Sequence, residues 1–290
     1  MTGISLTLVL LSGFAHASWN LLLKHSRNQE VFAWWIQFAQ VVLFLPLAVI
    51  LIWNGGIEPK GWGFVAGTSF IHFLYFLFLS RGYMHADFSL VYPLARGTGP
   101  ALVPILAVVL LHETITGLAA FGIITIVSGI FTAYWWGHAS KILTEPLRFL
   151  QDTGTRYALL TGVTIAAYSV WDKVGIQYVN PLLYMYLLSL GTTIGLFPYI
   201  LWKHDIKTLK NELKVNRLSI ITAGVLSFIA YGAVLSALQF SNVSYISPAR
   251  EIGIVFSVLL GTIVLKEPLS MGRVFGSIAI TSGVFLIALG

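Results

Sequence analysis

Three charged side chains stand inside long apolar runs: Arg96 in YPLARGTGP (92–100), and Arg250 with Glu251 in PAREIG (248–253). A charge near the centre of a bilayer costs ~3 kcal/mol or more, so it normally faces a cavity or a partner. A guanidinium grips carboxylate or phosphate with two parallel hydrogen bonds, which lysine cannot do. Arg96 and Arg250 therefore predict an anionic group, with Tyr92 beside them. Glu251 suits balancing an arginine, holding an ammonium group or carrying a coupling proton. A plainer reading pairs Arg250 with its neighbour Glu251, or lets it snorkel toward the helix end.

Helix breakers flank both arginines. Pro93 and Pro100 donate no backbone hydrogen bond, and Gly97 and Gly99 loosen the helix; Pro248 repeats the pairing before Arg250. Broken helices at corresponding places point to a binding site with hinges, although a simple packing kink has the same signature.

A second polar set lies at helical spacing. Ser12, His16, Trp19 and Asn20 share one face of a first span, and Tyr168, Trp171 and Asp172 share one of a sixth. Gln37 and Gln40 fall on a second span, and His72 deep in a third. His16, Trp19, Asn20, His72, Tyr168 and Trp171 join the candidate substrate-binding residues. The two tryptophans lie near helix ends, so they read equally as an interfacial belt or as a cation–π surface.

The elements that must position these residues are membrane spans. Of 290 residues, 57% are hydrophobic and only 10% charged, against roughly 25% charged in soluble domains. Ten stretches reach the ~20 apolar residues a span needs: 3–23, 31–53, 62–81, 87–111, 117–137, 157–176, 180–202, 218–238, 244–265 and 272–289. The N-terminal stretch carries an A-x-A sequence but no leading positive charge, so it reads as a span and not as a signal peptide. A polar stretch at 203–217 has the spacing of a short interfacial helix.

The chain repeats itself. LLSGFAHASWNLLLK (10–24) aligns on LLTGVTIAAYSVWDK (159–173), ARGTG (95–99) on AREIG (249–253), and FGIITIVSGI (121–130) on FGSIAITSGV (275–284). LHETITG places Glu113 on Glu267 of LKEPLSM. Five spans per half is an odd number, so the halves insert in opposite directions as an inverted repeat. The expected fold is an all-α integral membrane protein of ten helices. It divides into a first five-helix repeat at 1–137, a connecting loop at 138–156 and a second repeat at 157–290. Glu113 and Glu267 are read as carboxylates serving the helix that follows each of them.

This arrangement, with its loop glutamates and its glycine-rich fifth and tenth spans, resembles the drug/metabolite transporter superfamily, in its EamA-like branch. The resemblance covers the whole chain and marks architecture more than substrate. It implies a secondary transporter, not an enzyme, working by alternating access without ATP. A substrate carrying both signs, such as an amino acid or an aminophosphonate, would use Arg96, Arg250 and Glu251 together. The alternative is a flippase in which the same arginines meet a lipid headgroup.

The chain has no cysteine and no recognisable phosphate loop, nucleophile elbow or H-E-x-x-H. The expectation is therefore no cofactor, no metal site and no nucleic-acid partner. The partners are a small-molecule substrate, the bilayer and a coupling proton or counter-substrate, in a monomer or homodimer. The expected location is the cell membrane, a bacterial inner membrane, crossed many times. Outside the two buried arginines, only Lys60 and Lys173 fall on one side; every other Lys and Arg falls at the opposite ends of the spans. The positive-inside rule then puts both termini outside the cytoplasm. A C-terminal green fluorescent protein fusion should stay dark and an alkaline phosphatase fusion should be active; the opposite pair of results reverses the orientation.

Overall fold

A computed structural model describes residues 1–136 and 150–290. The described residues form α1 (Gly3–Lys24), α2 (Gln29–Leu43), α3 (Leu45–Gly55), α4 (Pro59–His85), α5 (Phe88–Leu111), α6 (Gly117–Trp135), α7 (Thr153–Gly175), α8 (Pro181–Lys203), α9 (Ile206–Ala237), α10 (Val243–Ala249), α11 (Ile252–Val264) and α12 (Met271–Leu289). Most of the expected connecting loop, with Lys141 and Arg148, lies outside the described residues. Helix starts follow local chemistry. Thr2, Asn28, Thr116, Asp152, Asn180, Asp205 and Ser270 each accept a backbone N–H from the first turn they precede.

Among the described residues, eight helical segments are long and apolar enough to cross a membrane, and α2 with α3 makes a ninth despite a 51° bend. The chain is thus a multi-pass membrane protein. The bend corrects the expectation of one straight span at 31–53: Pro46 sits in the first turn of α3, where its missing N–H breaks continuity with α2. α7 has 23 residues, roughly 34 Å of helix, enough for a ~30 Å hydrocarbon core. It is less apolar than the other spans because it carries Arg156, Asp172 and Lys173, and it packs its polar face against α4 and α5.

The two arginine-bearing spans differ. The span expected at 244–265 is broken into α10 and α11, with Arg250 and Glu251 at the break. The expected break at 93–100 is absent: α5 stays helical through Pro93, Pro100 and Pro104. Each proline removes one donor to the carbonyl four residues earlier, a loss the continuous helix tolerates. The 203–217 stretch is helical as expected. It is continuous with the following span, and the break in helical geometry falls at Asn216 (φ −110°, ψ 20°).

Features at aligned positions of the repeat match in detail. His112 and Lys266 both adopt the left-handed conformation, at φ 55° and 54°. Glu113 N–H then reaches Ala107 O at 3.2 Å, and Glu267 N–H reaches Gly261 O at 3.1 Å. Between α6 and α12 the contacts are reciprocal. A side chain at Gly122 would stand 2.7 Å from Gly283 O, and one at Gly129 would stand 2.9 Å from Gly276 O. Only glycine lets the backbones approach so closely.

Glu113 does not serve the helix after it. Its carboxylate accepts Val243 N–H (2.9 Å), Ser244 N–H (3.0 Å) and the Ser244 hydroxyl (2.6 Å), holding the first turn of α10. Glu267 instead bonds Lys24 at the end of α1 and Arg273 Nη1 at 3.1 Å. Hydrogen bonds from Lys24, then Arg273, hold the Glu267 carboxyl below the usual carboxylate range. Both glutamates thus tie one half of the chain to the other, because the left-handed residue before each turns it back across the fold. Glu113→Ala should cost about 1–3 kcal/mol by leaving the donors of α10 unbonded, read as a lowered thermal-unfolding midpoint of the purified protein.

Candidate functional site

Packing of α1, α5 and α7 against the broken α10–α11 span brings the sequence-predicted residues together. Arg96, on α5, and Arg250 are each 9% exposed, and Glu251 is fully buried. Arg96 Nε lies 3.2 Å from Glu251 Oε2, and Arg250 Nε lies 4.0 Å from Oε1. One carboxylate is therefore shared by two guanidinium groups. The contact is not a well-aligned hydrogen bond: Arg96 Nε and both Glu251 oxygens are buried without a hydrogen-bond partner among the described residues.

The break itself suits these charges. Pro248 has no N–H, so α10 ends in tight turns: Glu251 N–H bonds Pro248 O at 3.0 Å, and Gly253 N–H bonds Arg250 O at 3.1 Å. Arg250 then stands at the C-terminal end of α10 and Glu251 at the N-terminal end of α11. A cation at the first and an anion at the second both match the helix dipole.

Tyrosines and histidines surround the charges. Tyr92 on α5 sits under Arg96, with the guanidinium carbon 5.8 Å from the ring centroid. Arg250 donates to the Tyr168 hydroxyl on α7 at 3.3 Å. His72 on α4 stacks on the Tyr168 ring, with centroids 4.3 Å apart. Thr68 O lies 2.9 Å from His72 Nδ1 and fixes that ring. His16 on α1 lies within electrostatic reach of both arginines.

The remaining predicted residues are not joined to the arginines by any such contact. Trp19 packs with Phe32 and Ile36 of α2 and Ile220 of α9, and meets His16 edge-on. Asn20 is occupied by His16 O at 2.7 Å. Trp171 is 38% exposed and donates to Phe64 O of α4 at 2.9 Å, so it anchors α7 to α4. Helical periodicity placed these residues on the same sides as His16 and Tyr168, but side-chain length and direction turned them onto neighbouring helices. The sequence reading also missed Tyr75, Tyr184 and Tyr231. Tyr75 lies one turn from His72 and its ring is 6.2 Å from Tyr168, so the i, i+3 spacing carried a signal. Tyr184 and Tyr231 come from α8 and α9, and nothing local marks them.

Beside Arg250 a cavity of about 10 Å³ is lined by Ser169, Tyr231, Ser247 and apolar residues of α9 and α10. That is room for about one water. A surface cleft of about 450 Å³, lined by Arg27, Asn28, Lys207, Thr208, Asn211 and Glu212, does not include them.

Comparison with known proteins covers nearly the whole chain. The sequence model of the EamA-like transporter family matches residues 3–135 and 153–289. A protein of Archaeoglobus fulgidus described as an uncharacterized transporter is 26% identical over 215 residues, 74% of this chain and 72% of that protein. A solved crystal structure superposes with a TM-score of 0.73 at 15% identity, over 99% of this chain and 95% of the other. At that identity the likeness concerns the fold.

The shared carboxylate generates a stability test. Glu251→Ala leaves two buried guanidinium groups facing each other, at an expected cost of about 3–5 kcal/mol. A lowered unfolding midpoint in detergent, partly restored in the Arg96→Met/Glu251→Met double variant, checks it.

Proposed function

The chain belongs to the EamA-like transporter family, and from that premise we infer that it carries a small anionic or zwitterionic metabolite, of amino-acid or aminophosphonate type, across the cell membrane. The observation that carries this reading is the single carboxylate shared by Arg96 and Arg250. Two cations and one anion leave a positive charge for a ligand to meet. The buried, unbonded carboxylate oxygens of Glu251 offer acceptors to an ammonium group on the same ligand.

The mechanism is alternating access by two five-helix halves, at 1–137 and 157–290, inserted in opposite directions, with α7 as the tenth span. The matched left-handed turns and the reciprocal glycine contacts support this division. Rocking occurs about the break between α10 and α11 that follows Pro248. Arg96 and Arg250 bind the anionic group, Glu251 balances or receives the cationic one, and Tyr92, His16, His72 and Tyr168 line the path. Work is drawn from a proton gradient or from exchange. The termini face away from the cytoplasm, as the Lys and Arg distribution requires.

The purified chain should show a raised unfolding midpoint with 2-aminoethylphosphonate or a related zwitterion. Arg96→Ala and Arg250→Ala should weaken binding by at least about 30-fold, since removing one partner of a buried charge pair costs roughly 2–5 kcal/mol. Arg250→Lys should recover part of it. Normal counterflow in proteoliposomes by both alanine variants would remove the arginines from the mechanism. Translocation of a fluorescent lipid, without movement of soluble zwitterions, would instead favour the headgroup flippase.

A further inference from the structure

A second buried acidic group lies one helical turn beyond the site. Asp172 on α7 is fully buried. Its Oδ1 accepts the Tyr184 hydroxyl of α8 at 2.8 Å, and its Oδ2 accepts the Tyr231 hydroxyl of α9 at 2.5 Å. From α4, Thr68 and His72 face it. The adjacent Lys173 is turned away, donating to Leu238 O at 2.5 Å and Ser241 O at 3.0 Å. On its own helix Tyr168 lies four residues back and leads to Arg250 through the 3.3 Å contact.

Tyr184 has two acceptors for one proton. Its hydroxyl is 2.8 Å from Asp172 Oδ1 and 3.2 Å from Phe64 O. A buried carboxyl group can titrate cheaply only if both of its forms are hydrogen-bonded. Here both are. In the ionised form Tyr184 and Tyr231 donate to the carboxylate. In the neutral form the added proton sits on Oδ1 and is donated to the Tyr184 oxygen, while Tyr184 turns its own proton onto Phe64 O, an acceptor it shares with the Trp171 indole N–H at 2.9 Å. No group is left unbonded and no helix has to move.

The charge balance links this group to the anion site. Arg96 and Arg250 share Glu251, and Arg250 is linked toward Asp172 through the Tyr168 hydroxyl, four residues before Asp172 on α7. With both acids ionised the buried charges cancel. One proton on Asp172 leaves one positive charge, which favours an anion at the arginines; by reciprocity a bound anion favours the proton. Tyr168 and His72, stacked on one another between the two places, carry the contact.

We propose that Asp172 is the proton-binding site of this protein, and that a proton held there travels in the same direction as the anion bound at Arg96 and Arg250. The coupling half of the proposal rests on the transport reading above; the proton site does not, and the test separates them. The full chain in proteoliposomes is titrated by infrared difference spectroscopy across roughly pH 5–9, where a perturbed carboxyl group changes charge. A protonated-carboxyl band should appear in the wild type and be missing from Asp172→Asn. In Tyr231→Phe, which removes one donor to the carboxylate, its midpoint should move about one pH unit toward alkaline. Superimposable spectra of the wild type and Asp172→Asn would overturn the proton site.

In the second arm, labelled 2-aminoethylphosphonate should accumulate in wild-type vesicles under an inward proton gradient. Asp172→Asn should still exchange the label but accumulate it no further than without a gradient. Gradient-driven accumulation by Asp172→Asn equal to the wild type would overturn the coupling. A wild type that neither exchanges nor accumulates the probe would overturn the transport reading and the coupling with it, leaving the infrared arm to decide Asp172.

Discussion

Everything near the centre of this protein is organised by one buried carboxylate set between two guanidinium groups. Neither arginine is affordable alone in an apolar bundle, and Glu251 is within 4.0 Å of both. The pairing requires α5 and the broken α10–α11 span to meet at a fixed height, and that height requires the break at Pro248. The arginine on α5 and the pair at the break are therefore parts of one arrangement, in which a helix interruption, two dipole ends and three charges fit one another.

The elements around it are held in register by contacts between the two halves of the chain. Glu113 holds the first turn of α10 from the α5–α6 turn, and Glu267 holds the end of α1 from the α11–α12 turn. The close glycine contacts of α6 with α12 set these turns at the distance the carboxylates span. α10 is seven residues long, too short to be stable alone. Its position, and with it that of Arg250, depends on a carboxylate supplied by a distant turn. The aromatic shell then joins the arginines to Asp172, so that two acidic groups and two basic ones lie on one polar path through apolar helices.

Much of this was legible in the residues. Arg96, Arg250 and Glu251 stood out because charge inside an apolar run has few explanations, and the repeat suggested that the two stretches meet. His16 and Tyr168 stood out by helical spacing, His72 by its depth in a span and Tyr92 by its place beside Arg96. The spacing rule failed for Trp19, Asn20 and Trp171, since a shared side does not fix where a long side chain ends. Prolines were read too uniformly. Pro46 bends its span and Pro248 ends a helix, whereas Pro93, Pro100 and Pro104 are absorbed by a continuous α5. Whether the freed carbonyls can be accommodated depends on neighbours that a linear reading lacks.

The sequence by itself determined that the chain is helical and membrane-spanning, and which few charges demand a partner. Those properties follow from hydropathy and period, which are local. Only the tertiary structure decided that Glu251 serves both arginines, that Glu113 reaches across to α10, and that Tyr184 and Tyr231 converge on Asp172. The contacts of Arg96 with Glu251, of Glu113 with α10 and of Tyr231 with Asp172 join helices far apart in the chain, and Tyr184 reaches Asp172 from the next helix. Nothing local selects such a partner, because many polar residues on neighbouring helices would satisfy the same need, and packing chooses among them.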